Sequence, residues 1–196
     1  MLDLSLFDFT FGLSAVILGL ALTHLASSLH RLALAGRHVR WAPEPIILSG
    51  IIFLVIVSVW LLQWPDRNVS QTTVGLMLLQ VCKLLLPYLA AAFVLPEHVA
   101  PDEEIDLLTH YNRTRAFTFG ALIAGLLLFW IFSLARLSMY GPSKLSLAKA
   151  LAVGPWLIVG LYALLIFVRV RWVNIIVLTV VFLGYGWEVI GIPLHA

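Results

Sequence analysis

Apolar runs long enough to cross a bilayer recur along the chain, separated by short polar connections, and their order predicts six helices. A bilayer core takes about 20 apolar residues per crossing, and such runs fill residues 7–30, 45–64, 71–95, 116–139, 147–168 and 173–193, here spans 1 to 6. Arg31, Arg37 and Arg40 precede Pro43 and Pro45, which start span 2. Pro65-Asp66-Arg67-Asn68 has the residue types of a tight reversal, Gly141-Pro142 breaks the chain ahead of span 5, and Arg169 and Arg171 separate spans 5 and 6. That last gap is short, so a single helix over residues 147–192 is the competing reading. Its length, more than twice what a bilayer needs, favours six crossings.

The longest hydrophilic stretch, LPEHVAPDEEIDLLTHYNRTR, places Asp102, Glu103, Glu104 and Asp106 in a first turn and Arg113 and Arg115 in a last. Ile105, Leu108 and Tyr111 face one way. Charges in that order complement a helix dipole and predict an amphipathic surface helix over about residues 102–113, leading into span 4.

Polar residues inside the spans fall on stripes. Span 1 gathers Thr10, Ser14, Ala21, His24 and Ser28 on one face, with Gly12 and Gly19 elsewhere. Span 3 aligns Gln80, Lys83 and Pro87, so an amide, an ammonium and a kink that frees a backbone carbonyl address the same space. Span 6 aligns Asn174, Val181, Tyr185 and Glu188. A charge at the depth of Lys83 costs at least about 2.5–3.5 kcal/mol on insertion scales, so its side chain is expected to face the protein interior, a wet cavity or a partner. For Glu188 the cheapest arrangement is a cation on a neighbouring helix, Lys83 or Arg136, or protonation. Arg136, near the end of span 4, can instead snorkel to the interface, and Trp60 and Trp64 suit the headgroup region.

With 62% hydrophobic and 11% charged residues, a water-soluble domain could not hide this much apolar surface. The chain is therefore an all-α, polytopic membrane helix bundle, a single integral membrane domain whose first partner is the lipid bilayer. A net charge of +2, with basic residues at the ends of apolar runs, gives no footing for nucleic-acid binding. Cys82 is the single cysteine, which excludes internal disulfides and paired-thiol chemistry and reads as core filler. Acids stand in MLDLSLFDFTFGLSAV where a secretory leader carries bases, so span 1 is expected to be retained. Arg31, Arg37, Arg40, Arg113, Arg115, Arg169 and Arg171 fall on one side of the membrane and outnumber Arg67, Arg136, Lys144 and Lys149 on the other. The positive-inside rule then puts both termini on the non-cytoplasmic side and the loop helix in the cytoplasm.

The halves echo one another. Phe9-Thr10-Phe11-Gly12 matches Phe117-Thr118-Phe119-Gly120, and Leu29-His30-Arg31-Leu32 matches Leu134-Ala135-Arg136-Leu137. Trp64 and Trp172, and Lys83 and Glu188, keep similar offsets. Three crossings per unit would make two inverted three-helix repeats, with Lys83 and Glu188 pseudo-equivalent.

Nothing in the sequence assembles a catalytic, cofactor or metal site. Of the histidines only His24 lies clearly at membrane depth, against haem ligation by a pair; as a lone residue it reads as a packing histidine or an inner-side proton acceptor. His98 and His110 fit no zinc-ligand spacing. Gly184-Tyr185-Gly186 matches the tripeptide of potassium-channel filters but lacks the Thr-Val before it and lies in a continuous apolar run. A membrane hydrolase would need a Ser–His or carboxylate constellation, and none is legible.

FGLSAVILGLALTHLASSLHRL in span 1, LLLPYLAAAFVLP in span 3 and IDLLTHYNRTRAF before span 4 resemble a family of small, uncharacterised bacterial inner-membrane proteins. The resemblance implies six helices and a bacterial inner membrane, and it transfers no activity. The polar stripes lead to the expectation of a small transporter, channel or sensor handling protons, an ion or a small polar solute, with Lys83, Gln80 and Glu188 at its centre. The alternative is a non-catalytic accessory or assembly subunit, in a homo-oligomer or larger membrane complex, whose Lys83–Glu188 pair fixes helix register.

Overall fold

The computed structural model describes residues 6–63, 72–97, 104–140 and 154–191. They form six helices: α1 (Leu6–Ala35), α2 (Pro43–Leu61), α3 (Val74–Val94), α4 (Leu107–Tyr140), α5 (Gly154–Phe167) and α6 (Arg171–Ile190). All but α5 are long and apolar enough to cross a membrane, as a multi-pass membrane protein requires. The first turns predicted for span 5 lie outside the described residues. Between α5 and α6 the chain leaves the helix over residues 168–170, so spans 5 and 6 are separate.

Local chemistry sets the helix starts. Pro43 and Pro45 occupy the first turn of α2, where a missing N–H leaves no bond unmade. Thr73 caps α3 by accepting from the Leu76 amide at 3.3 Å. Asp106 caps α4, its Oδ1 accepting from the amides of Leu108 (2.9 Å) and Thr109 (3.2 Å) and its Oδ2 from the Thr109 hydroxyl. This corrects the expected separate helix over 102–113. Glu104 is not helical, Ile105–Asp106 is a short strand, and from Leu107 the helix runs unbroken into span 4 because no glycine or proline interrupts it before Gly120.

Three connections meet at one end. Val39–Arg40 (β1) pairs in parallel with Ile105–Asp106 (β2), tying the α1–α2 connection to the start of α4. The Arg115 guanidinium donates to the Val168 carbonyl at 3.1 Å, bringing the α5–α6 connection to the same place. The helices therefore run up and down, with the arginine-bearing connections together.

α3 packs along α4 and α2 along α6, α5 leans on α4, and α1 rests on α3 and α2. The centre is aliphatic and aromatic, with Ile51, Ile52, Leu84, Phe119, Tyr162 and Leu178 fully buried. Large apolar side chains such as Trp172, Leu183 and Trp187 point outward, as lipid contact demands. Close approach depends on small residues: a Cβ on Gly50 would stand 2.8 Å from the Phe182 ring, and one on Gly125 3.5 Å from Leu86. In span 1, Ser14, Ala21 and Ser28 are buried, so its polar face does turn inward.

The packing does not repeat as the sequence echoes do. An inverted repeat would match α1, α2 and α3 with α4, α5 and α6. The α3–α4, α2–α6 and α1–α3 interfaces would then have counterparts in α6–α1, α5–α3 and α4–α6, and none of these is an appreciable contact among the described residues. Matched residues also differ: Phe119 is fully buried between Tyr111 and Tyr162, whereas Phe11 is half-buried beside Trp60. The shared tetrapeptides mark helix beginnings and do not carry a common packing face.

Candidate functional site

Lys83 lies nine residues into α3, about 14 Å along its axis, with about 16 Å remaining to Val94, so it sits close to mid-depth. Its side chain is buried, 6% exposed. The ammonium stands 4.2 Å from the centroid of Phe132 and 5.2 Å from that of Phe129, both on α4, which the small Gly125 brings against α3. Desolvated cation–π contacts of this kind are worth about 2 kcal/mol or more, the same scale as the insertion cost of the charge. Four residues on, Pro87 lacks the N–H that would bond the Lys83 carbonyl, leaving that acceptor without its helical donor.

Lys83 and Pro87 line a cavity of about 160 Å³ whose wall is completed by α2, α4, α5 and α6. Tyr162, Tyr185, Glu188 and Ser58 bring the other principal polar groups, and Val55, Leu122, Leu126 and Ile158 are among the apolar ones. Its lining residues come from the later half of α2 and the last turns of α6, so the cavity occupies the half of the bundle away from the arginine-bearing end. Glu188 is near the end of α6 and exposed, which places it at the mouth and Lys83 at the floor.

The remaining predicted residues go elsewhere. Gln80 turns toward α2, where its amide donates to Gln63 Oε1 at 3.3 Å; it braces α2 against α3 and does not line the cavity. His24 sits between α1 and α3 with its ring 6.5 Å from that of Tyr88, and its buried Nε2 has no hydrogen-bond partner among the described residues. Among the described residues none from α1 lines the cavity. Asn174 is buried on the inward face of α6, but eleven residues, about 16 Å, separate it from Tyr185. Arg136 stacks 5.9 Å from Phe132, so one ring serves two cations. Cys82 is exposed, contrary to the core role expected for it, because one helical step from Lys83 turns its sulfur out of the bundle.

A second polar cluster escaped the sequence reading. Glu44, in the first turn of α2, is fully buried and receives the Arg171 Nε at 2.8 Å, while its other oxygen has no hydrogen-bond partner among the described residues. The signal available was an acid between two prolines at a helix start, favourable to the helix dipole. Its cation lies 127 residues away, which spacing alone cannot show. Beside it, Arg115 and Tyr111 are also buried, and the Tyr111 hydroxyl has no hydrogen-bond partner among the described residues. These groups tie α2, α4 and α6 where the cavity is absent.

Among the described residues no group of three or more His, Cys, Asp or Glu could hold a metal. No protein-family model, curated protein or solved structure matches the chain.

Proposed function

We propose that this is a small solute-handling protein of a bacterial inner membrane, a transporter, channel or sensor whose site is the cavity above Lys83. One observation carries the reading: a mid-depth ammonium lines the same cavity as Tyr185 and Glu188, away from the tied, arginine-rich end. By the positive-inside rule that tied end is cytoplasmic and both termini are outside, so the cavity is reached from the non-cytoplasmic face. A charge retained at this depth is a mark of function in membrane helices.

Proteoliposomes test it. Wild type is expected to pass or respond to a solute or ion, with the signal lost in Lys83→Met and reduced in Glu188→Gln while helical circular dichroism is unchanged. With Cys82 replaced by serine, Ser58→Cys should react with an impermeant maleimide from one side only. Silence toward every tested ion and solute, with both charge variants unfolded, overturns the reading.

The enclosure of Lys83 by Phe129 and Phe132 favours a second reading, in which the cation clasps α3 to α4 in an accessory subunit. A protein that always purifies alone and monomeric in mild detergent would count against that one.

A further inference from the structure

We propose that the cavity takes a small organic acid, its anionic head at Lys83 and its apolar body against α2, α4 and α5. The assignment rests on the solute-handling reading and narrows it. At about 160 Å³ the cavity is below the roughly 300–1,000 Å³ of pockets for drug-sized ligands, so a two-chain lipid does not fit and a short chain or single ring does.

The lining decides the chemistry. Val55, Leu122, Leu126 and Ile158 offer a dehydrated inorganic ion nothing in place of its water, whereas they would bury the body of an organic molecule. The sign of the head group follows from where the two charges lie. Lys83 is buried and Glu188 exposed. A pair of unit charges at 4 Å interacts by about 1 kcal/mol in water and about 4 kcal/mol at an effective dielectric constant near 20, so the floor outweighs the mouth and an anion is favoured. An ammonium has three N–H donors, so Lys83 can receive a carboxylate beside the protein contacts it keeps. The Tyr162 and Tyr185 hydroxyls, on the same wall, suit the head's second oxygen.

Calorimetric titration of the protein in neutral phosphatidylcholine nanodiscs, with hexanoate and benzoate as probes, tests the assignment. Both acids are expected to bind saturably, about tenfold or more weaker to Lys83→Met and with affinity largely kept in Lys83→Arg. Ala121→Phe, which fills the cavity and leaves the lysine in place, should abolish binding, and hexylamine and hexanol should not match the acids. Hexanoate binding that follows the acid dissolved in the bilayer when the lipid-to-protein ratio is doubled supports supply from the bilayer, and binding that follows the free acid in water supports supply from water. Equal binding of hexylamine, or hexanoate affinity unchanged in both Lys83→Met and Ala121→Phe, overturns the proposal. If neither acid binds while proteoliposome activity still falls with Lys83→Met, the acid assignment fails and the solute reading stands; if that activity is absent too, both fail.

Discussion

At the arginine-bearing end, connections distant in sequence are pinned to one another by the β1–β2 pairing, the Arg171–Glu44 ion pair and the Arg115–Val168 hydrogen bond. In the other half, α2 to α6 part around a cavity floored by an ammonium that rests on aromatic rings. Both halves contain buried charge: the acid at the tied end is closed in by packing and an arginine, whereas the ammonium in the open half, with two ring faces among its contacts, lines a cavity. A charge sealed in packing closes a structure, whereas a charge on a cavity wall stays reachable.

The comparison is most sharply broken by the two partners of the ion pair. Glu44 is 1% exposed at its side chain and Arg171 55%. Arg171→Ala strands a buried carboxylate and is expected to cost on the order of 3 kcal/mol, the lower part of the range for breaking a buried pair because the guanidinium is half in solvent. Glu44→Ala leaves a half-solvated cation and should cost less. Thermal unfolding in nanodiscs checks the order, and equal losses would show the acid to be better solvated than its burial implies. For scale, Arg40–Glu104, about 70% exposed on both sides, should contribute under about 1 kcal/mol.

Next in size is Gly50→Ala. Its methyl would meet the Phe182 ring at 2.8 Å, so the ring or the two helices must give way, at about 1–3 kcal/mol. Phe182→Leu in the same chain should recover most of the loss. An unchanged melting temperature in the single variant would mean that the outward-lying Phe182 ring turns aside without loss and does not hold α2 against α6.

The smallest effect belongs to Asp106. Hydrogen bonds from the Thr109 amide, then from its hydroxyl and the Leu108 amide, hold this carboxyl below its ordinary value of 3.8, with Arg40 adding a minor attraction. A depressed folded pKa contributes stability above the unfolded value and loses it as pH falls through the folded one. The melting difference between wild type and Asp106→Asn should therefore be present at neutral pH and vanish well below pH 4. A difference independent of pH would assign the cap to geometry alone.

Run length made the crossings legible, and the cost of a charge in hydrocarbon was enough to turn Lys83 inward. Helical periodicity located the buried face of α1 and put Tyr185 and Glu188 on one side of α6. Depth was harder to read: Asn174 shares their face but sits near the opposite end. Rotation within a stripe was harder still, since Gln80, one turn from Lys83, swings to Gln63 just past the end of α2. Glu44 was illegible because a buried acid is recognised by its cation, and Arg171 reaches it only through the fold. The start of α4 turned on Asp106, a residue as much at home in a surface turn as at a cap.

Cys82 faces out of α3 one residue before Lys83. A nitroxide on its sulfur would ride at nearly the height of the cavity floor, in hydrocarbon, with the helix between it and the ammonium. Its relaxation by dissolved oxygen and by a water-soluble nickel chelate reports immersion depth directly. The native chain thus supplies its own ruler for the level at which its lysine is held.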